Sequence, residues 1–329
     1  MDLTEREQYK LSMLAEVATM YYERGMTQSE IADVLCISRT RISRLLQEAQ
    51  EKGIVRININ YNLVRHYELE RRLCETFQLK DAYVFNNRGK TPSEIADGVA
   101  RLAAFAIQER LRKDSIVGIT WGNTVASTVN AMTIDHPIRA DVVQLIGSIA
   151  STGTLSSPQE IICKFADLTG ATPHFLSVPF IIHDDYIRRA ILRDVNNAKA
   201  LHMSTFCDLI VTGLGTLQYA ATTNSWVGYM NEEYVQDIRA HGGVGCLCGR
   251  FFDESGQEID CSWNRDCVGI TLEQLGRISE VICVASSPEK SSALHAALKG
   301  RKFNILVTDG TTATLALKAK TVIHPEDDQ

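Results

Sequence analysis

TQSEIADVLCISRTRISRLL, residues 27–46, decides how the N-terminal part of the chain folds. Thr27 and Glu30 stand three residues apart, which is the spacing of a capping box at the start of a helix. Ser38 is a favourable N-cap for a second helix, in which the apolar residues recur on one face. Two short helices joined by a tight turn predict a helix-turn-helix, in which the second helix is the reading helix.

The other face of the second helix is rich in arginine and hydroxyl side chains. Between Arg39 and Arg44 it carries three arginines, one threonine, one serine and no acid. Such groups suit phosphates and base edges in a major groove. An ordinary solvated helix face is the alternative, but the turn before it and the pattern after it favour DNA. We therefore predict DNA contacts from both helices, at Gln28, Ser29, Ser38, Arg39, Thr40, Arg41, Ser43 and Arg44.

Flanking segments complete this domain. Residues 5–24 have the apolar spacing of a helix, which supplies the third wall of a small core. Gly53 ends the reading helix, and β-branched residues then alternate over residues 54–60 as they do in a strand. The pattern predicts a winged helix-turn-helix domain at residues 1–60, followed by an effector and oligomerisation domain at residues 61–329.

The overall composition is that of a globular protein with two domains. The chain has 329 residues, of which 45% are hydrophobic and 22% charged. It contains no apolar run of about 18 residues, and its N-terminus is charged rather than signal-like. We expect a cytoplasmic protein with no membrane partner.

Charge is distributed unevenly along the chain. The net charge is −6, yet residues 38–56 contain five basic and only two acidic side chains. A basic patch on an acidic body is typical of a protein that meets DNA at one end only.

The nine cysteines are scattered and predict no disulfides in a chain without a secretory signal. The densest group, His241, Cys246, Cys248, Cys261 and Cys267, leaves open a metal or redox sensor. Its spacing matches no CxxC pattern, and buried free cysteine is common. We therefore predict no metal and no cofactor.

After residue 61 the pattern alternates between short buried strands and helices, including a strand at 174–178 and a helix at 184–202. Two further strands are predicted within 250–260, around the Glu254-Ser255-Gly256 turn. This alternation predicts an α/β fold with a mostly parallel sheet covered by helices on both faces.

Several strand ends carry small residues that suit a ligand. Parallel strands bind ligands beyond their carboxyl ends, where backbone amides and helix N-termini favour an anion. Each loop has the alternative of a simple turn requirement, but together they predict a pocket for a small phosphorylated, hydroxyl-rich molecule. No GxGxxG follows a strand, and GxxxxGK[ST] and GxSxG are absent, so nothing supports a dinucleotide, a P-loop nucleotide or a serine hydrolase site.

Four stretches together resemble the SorC family of bacterial sugar-binding transcriptional regulators. They are MYYERGMTQSEIADVLCISRTRISRLLQEAQEKGIVRI (20–57), VGITWGNTV (117–125), GRFFDESG (249–256) and NILVTDGTTATLAL (304–317). The resemblance implies an effector domain similar in fold to sugar-phosphate isomerases and deaminases but without catalysis. It also implies tetramers and a phosphorylated sugar or related metabolite as effector.

The resemblance also assigns ligand residues by position. Gly122, Asn123 and Thr124 match a phosphate-side loop, while Gly147 with Ser148 and Gly213 with Gly215 match two further ligand loops. Lys290 matches a basic ligand contact, and Asp309 matches the acid of the closing motif.

Two positions depart from the family pattern at this edge. Cys246, which we include among the ligand residues, stands where the family has an aspartate that can hold ligand hydroxyls. Ser286-Ser287-Pro288 replaces a Gly-Gly pair. Both departures bear on the identity and the phosphorylation of the effector.

These observations predict a transcriptional regulator of a carbohydrate-catabolism operon. Its expected partners are operator DNA, a small sugar, polyol or sugar phosphate, and further copies of the same chain. An isomerase- or deaminase-like enzyme is the alternative, against which the fused DNA-binding domain argues. Operator half-sites require at least a dimer, and the resemblance implies a tetramer.

Overall fold

The computed structural model describes residues 5–55, 65–149, 157–222, 226 and 229–319. The chain divides into two compact units, Met1–Tyr61 and Asn62–Gln329.

The first unit is helical. Its elements are α1 (Glu5–Ala18), which continues as a π-helical segment over Thr19–Glu23, α2 (Gln28–Leu35) and α3 (Arg39–Glu51).

Local side-chain chemistry sets the boundaries of α2 and α3. The Thr27 amide donates to Glu30 Oε2 at 2.8 Å, and the Glu30 amide donates back to Thr27 Oγ1 at 3.3 Å, which completes the predicted capping box. Cys36 ends α2 in the left-handed region at φ 50°, and Ser38 caps α3 by accepting from the Arg41 amide. The helix-turn-helix fold predicted from the sequence is thereby confirmed.

One small core holds these helices together, and its members are Leu14, Val17, Ala18, Met20, Ile31, Ala32, Ile42, Leu45, Leu46 and Ala49. Ile54 and Val55 pack against it through a bend rather than a strand. The remainder of the predicted wing strand, residues 56–60, lies outside the described residues.

The second unit is built on a parallel sheet. Its strands run in the order β1-β9-β8-β5-β2-β3-β4, and the β6–β7 hairpin is attached antiparallel to the carboxyl end of β5. The strands are β1 (Asp81–Phe85), β2 (Ile116–Ile119), β3 (Asp141–Gln144), β4 (Thr172–His174), β5 (Leu209–Gly215), β6 (Gly245–Leu247), β7 (Arg250–Phe252), β8 (Glu280–Val284) and β9 (Ile305–Asp309).

Helices cover both faces of this sheet, as predicted. They are α4 (Tyr67–Phe77), α5 (Pro92–Gln108), α6 (Asn123–Asn130), α7 (Pro158–Thr169), α8 (Asp185–Leu192), α9 (Val195–Ser204), α10 (Leu217–Thr222), α11 (Glu232–Ala240), α12 (Ser262–Asp266), α13 (Leu272–Leu275), α14 (Ser291–Lys299) and α15 (Gly310–Lys318). Side chains alternate along each strand, so Tyr83 enters one core with α5, α6 and α7 while Val84 enters the other with α4, α11, α14 and α15.

Three predicted elements differ from the structure. The helix predicted at 184–202 is two helices, because the Asp194 carboxylate accepts from the amides of Asn196 and Asn197 and starts α9 anew. The strand predicted at 174–178 instead occupies Thr172–His174. The pairing predicted around Glu254-Ser255-Gly256 is reduced to a single antiparallel bridge between Phe252 and Glu258. The main partner of β7 is β6, through a turn in which Cys248 and Gly249 both have positive φ, as a type I′ turn requires.

Among the described residues, no helix is both long enough and apolar enough to cross a membrane.

Candidate functional site

The solvent-facing side of α3 presents free cations. The side chains of Arg39, Arg41 and Arg44 are exposed, and no carboxylate of the described residues pairs with any of them. Thr40 and Ser43 are exposed beside them. The opposite side of α3 is buried in the helical core, so the two faces of the helix are chemically distinct.

One acid of α3 is paired with lysines. Glu48 of α3 pairs with Lys10 at 2.6 Å and lies 3.8 Å from Lys52. The other predicted DNA contacts differ in availability: Ser29 is exposed and Gln28 is half-buried at the start of α2. Ser38 is exposed, but its hydroxyl already accepts from the Arg41 amide at 3.3 Å. The cationic face of α3 therefore remains available for an anionic partner.

A pocket opens where β2 and β5 end, at the carboxyl edge of the sheet. Its empty volume is about 960 Å³, including solvent at its mouth. Seven of the predicted ligand residues line it, namely Gly122, Asn123, Thr124, Gly213, Gly215, Cys246 and Lys290.

The N-terminus of α6 faces this pocket without a capping side chain. Gly122, with φ 138°, occupies the N-cap position and makes no side-chain cap hydrogen bond. The first amides of a helix have no partner within the helix, and together with the helix dipole they attract negative charge. A ligand oxyanion at this position would replace the missing cap.

Lys290 brings a positive charge to the same pocket. Its Nζ lies 5.7 Å from the centroid of the Tyr219 ring, and the Tyr219 hydroxyl accepts from Asn123 Nδ2 at 3.3 Å. No carboxylate of the described residues lies within ion-pair distance of this ammonium. Burial lowers the pKa of Lys290 below its ordinary value, because an ammonium that lacks a counter-anion is poorly solvated there.

An aromatic wall closes another side of the pocket, and its lining members are Trp121 and Trp226. Trp121 Nε1 donates to the Gly147 carbonyl at 2.8 Å, and its ring meets Phe180 edge-on at 5.1 Å. Trp226 stacks on Trp263 at 5.0 Å. Both indoles are therefore held in place by the core.

The β6–β7 hairpin brings two thiols to the pocket. Cys246 and Cys248 line it and are almost fully buried, with 4% and 3% of their surface exposed. Gly215 pairs with Cys246 across β5 and β6, and a Cβ on Gly215 would lie only 2.5 Å from Cys246 Sγ. Burial raises the pKa of each thiol to about 12, so both are neutral at physiological pH.

Three of the predicted ligand residues do not line the pocket. Gly147 packs against the Pro179 backbone and supplies the carbonyl that holds Trp121. Ser148 accepts from Gln144 and Gln159. Asp309 is 2% exposed and caps α15.

Strand order explains the position of Asp309. β8 separates β9 from β5, so the end of β9 does not reach the gap between β5 and β2 where the pocket lies. The carboxylate of Asp309 accepts from the amides of Thr311 and Thr312 and from Asn87 Nδ2 and Ser286 Oγ. Asp309, the acid of the closing motif, thus stabilises the loop before Lys290 through Ser286 and does not line the pocket itself.

Pocket residues that the sequence analysis did not single out include Tyr219, Trp226 and Ser157. Tyr219 lies on α10, a six-residue helix too short to show periodicity. Ser157 forms a capping box with Glu160 at the start of α7, and this S-x-x-E signal was available in the sequence.

Ser287, the N-cap residue of the short helix at Pro288–Lys290, has φ 135° and ψ 132°, a conformation that favours glycine. We expect Ser287→Gly to raise the free energy of unfolding by about 1 kcal/mol, since the relieved strain of about 1–3 kcal/mol exceeds the entropic cost of glycine. Urea unfolding measures this. Ser286→Gly is the matched control: Ser286 has no positive φ and donates to Asp309 at 3.0 Å, so it should destabilise. Equal effects of both changes would contradict the strain argument.

The histidine and cysteine group does not form a metal site among the described residues, where no three ligating side chains are arranged to hold an ion. His241 is exposed and bonds to Asp237, whereas Cys261 and Cys267 are buried. All nine cysteines are free.

Comparison with known proteins agrees with this architecture. The family model described as a putative sugar-binding domain matches residues 61–318, and the model of sigma-70 region 4 matches residues 14–52, which include α2 and α3.

Two curated relatives align over most of their length. The chain is 30% identical to the deoxyribonucleoside regulator of Bacillus subtilis (strain 168), over 94% of this chain and 97% of that protein. It is also 30% identical to the sorbitol operon regulator of Klebsiella pneumoniae, over 94% of this chain and 98% of that protein. Both are named as regulators and not as enzymes.

The crystal structure of the full-length sorbitol operon regulator SorC from Klebsiella pneumoniae superimposes with a TM-score of 0.83 at 29% identity. The match covers 93% of this chain and 98% of that one. The fold similarity therefore extends over both units of the chain.

Proposed function

The chain belongs to the SorC family of sugar-binding transcriptional regulators, and we propose that its operon is controlled by a small phosphorylated sugar or polyol bound at the strand-end pocket. The DNA-binding and sugar-binding functions are those of the family, which is one of regulators and not of enzymes. The phosphorylation of the effector, its contacts and the assembly of the protein are proposed here.

One observation carries the proposal of a phosphorylated effector. Lys290 and the uncapped N-terminus of α6 meet in one pocket, and neither has an anionic partner among the described residues. A phosphate group would satisfy both, because it offers several acceptor oxygens and up to two negative charges. A neutral polyol would leave the ammonium uncompensated.

The ligand contacts that we propose are Gly122, Asn123, Thr124, Gly213, Gly215, Cys246 and Lys290, to which the pocket lining adds Tyr219 and Ser157. Gly147 and Asp309 would act indirectly, by holding Trp121 and the loop before Lys290. Ser148 would act through its bonds to Gln144 and Gln159.

For DNA, we propose that α3 lies in the major groove with Arg39, Arg41 and Arg44 towards phosphates and base edges, and with Thr40 and Ser43 beside them. Exposure of these side chains and the lack of local ion pairs support this role. Ser29 and Gln28 at the start of α2, and Ser38 at the start of α3, would contact the backbone of the operator, as polar groups at helix N-termini commonly do.

Assembly into a homo-oligomer follows from the need to place two reading helices on two half-sites. An exposed apolar surface on α8 supports it: Tyr186 is 83% and Ile187 50% exposed. Effector binding would then shift the balance between subunit arrangements that differ in affinity for the operator. Light scattering on the full chain tests this, and a mass near the 36.6 kDa of one chain would exclude it. A regulator of this kind would act in the cytoplasm.

Thermal unfolding of the full chain against a panel of sugars and polyols, each with its phosphorylated form, tests the effector proposal. A ligand that binds only the folded state stabilises it by about 2.7 kcal/mol at a hundredfold excess over its dissociation constant. We expect at least one phosphorylated compound to raise the midpoint while its free form does not. Shifts by free sugars alone would rule out the phosphate.

A further inference from the structure

We propose that Gln47 is a further base-reading residue of α3, which hydrogen-bonds to an adenine in the major groove, and that Glu51 orients its amide for this contact. The inference rests on the proposed role of α3 as the reading helix. It adds to that helix a specificity-determining residue that lies beyond the arginine-rich segment Arg39–Arg44.

Gln47 lies on the line of α3 that points directly away from the core. The buried side of the helix is formed by Ile42, Leu45, Leu46 and Ala49. Successive side chains of an α-helix are rotated by about 100°, so the positions opposite the buried side recur three and four residues apart. The residues at these positions are Thr40, Arg44, Gln47 and Glu51, and all four are exposed. Gln47 therefore continues the line that begins with two of the proposed DNA contacts.

The spacing along this line is that of a reading helix. Homeodomains contact DNA in the major groove through side chains at relative positions i, i+3, i+4 and i+7 of one helix. Counted from Thr40, the same positions on α3 are Ser43, Arg44 and Gln47. Gln47 lies about 10 Å along the helix from Thr40, which is the length of about three base pairs. It can therefore contact a base pair that the first turn of α3 does not reach.

The side chain of Gln47 matches the exposed edge of adenine. A carboxamide offers an N–H donor beside a carbonyl acceptor, and in the major groove adenine presents the N7 acceptor beside the N6 amino donor. An arginine offers donors only and pairs with guanine instead. Gln47 thus supplies the recognition of an A·T pair, which the neighbouring arginines cannot provide.

The second glutamine of α3 is engaged within the protein. Gln50 Nε2 donates to the Tyr22 hydroxyl at 2.8 Å, which ties α3 to the segment that follows α1. The amide nitrogen of Gln47 instead donates to Glu51 Oε1 at 3.0 Å, one turn along the same helix. Both glutamines are exposed, so their direction on the helix and their partners distinguish them.

Glu51 fixes the direction of the Gln47 amide. A carboxylate accepts hydrogen bonds and cannot donate them, so Glu51 binds the amino end and leaves one N–H and the carbonyl oxygen of Gln47 free. These are the donor and the acceptor that adenine requires. The carboxylate also repels the phosphates of every duplex alike, so it lowers affinity without favouring a sequence. Glu51 is therefore a positioning residue.

The test is selection of duplexes from a random-sequence pool by the full chain and by three variants, Gln47→Ala, Gln47→Arg and Gln50→Ala. We expect the parent to select an adenine at one position of each half-site. Gln47→Ala should lose this preference and keep the others, and Gln47→Arg should replace the adenine by guanine. Gln50→Ala is the matched control and should keep the adenine.

Affinity for the parent's duplex gives the size of the effect. Gln47→Ala should bind it about fivefold to a hundredfold more weakly per reading helix. The salt dependence should be unchanged, because the amide is neutral and releases no counterion from a phosphate. An adenine preference that survives in Gln47→Ala, or a selected sequence without the adenine in the parent, overturns the inference and leaves α3 as the reading helix. Selection of no sequence by the parent overturns the proposed function as well.

Variants of Glu51 test its positioning role. Glu51→Gln removes the charge and keeps an acceptor for the Gln47 amide, so it should bind all duplexes more tightly and retain the preference for adenine. Glu51→Ala also removes the charge but leaves the amide unsupported, so the preference should shrink. Equal preferences in the two variants would overturn the positioning role of Glu51.

Discussion

Replacing Arg41 and Arg44 together by alanine should weaken operator binding by at least about thirtyfold per reading helix. Each base or phosphate contact of an arginine contributes about 1–3 kcal/mol, and about 1.4 kcal/mol is a factor of ten. Both side chains are exposed on the face of α3 opposite its buried residues. The fold should survive, because neither guanidinium makes an ion pair within the described residues. Fluorescence anisotropy on an operator duplex measures the loss.

The salt dependence of the same binding separates two roles of these arginines. Loss of a phosphate contact lowers the slope of log affinity against log salt by about one, whereas loss of a base contact relaxes sequence preference and leaves the slope largely unchanged. Arg101→Ala, which removes an exposed arginine from α5 in the other unit, is the control for net charge and should leave both quantities unchanged. Equal effects of the Arg101 and α3 variants would contradict the assignment of α3 as the reading helix.

Lys290→Met should lower the affinity for a phosphorylated effector by about tenfold to a hundredfold, because it removes a charge-assisted contact that contributes about 1.5–3 kcal/mol. The ligand-free variant should be at least as stable as the parent. The lowered pKa of Lys290 means that its charged form is disfavoured in the fold. A lost thermal shift therefore cannot be attributed to unfolding. Lys299→Met, at an exposed position on α14, is the matched control.

The pH profile of effector binding should identify the ammonium. Affinity should rise as the phosphate loses its second proton near pH 6 and fall as Lys290 loses its own proton, at a lower pH than an ordinary lysine does. The stability of the ligand-free protein should change with pH in the opposite direction. Because the pKa of Lys290 is lower in the folded than in the unfolded chain, the free energy of unfolding increases as the pH rises through the folded pKa. An alkaline limb that persists in Lys290→Met would assign the titration to another group.

Local rules were sufficient for the helix-turn-helix of the first unit and for the architecture of the second. The capping box at Thr27, the N-cap at Ser38 and the apolar face of α3 are all encoded within a few residues. Alternation of buried strands with helices likewise predicted a parallel sheet with two covered faces.

What sequence could not provide was the order of the strands. The ends of β2, β5 and β9 look alike as sequences, and only the order β9-β8-β5-β2 separates Asp309 from the loops at Gly122 and Gly213. The turn at Cys248-Gly249 was missed for a different reason, since it requires a cysteine at positive φ, which residue preferences disfavour. Tertiary contacts of this hairpin with β5 outweigh that preference.

The most direct test of the account measures operator affinity of the full chain with and without the effector. The duplex is one that the protein itself selects from a random-sequence pool, and the ligand is the phosphorylated compound that raises the unfolding midpoint. We predict that saturating ligand changes the dissociation constant by at least about fivefold, in either direction, and that Lys290→Met removes the change while it still binds the duplex. Identical binding curves with and without bound ligand would contradict the coupling of the pocket to α3.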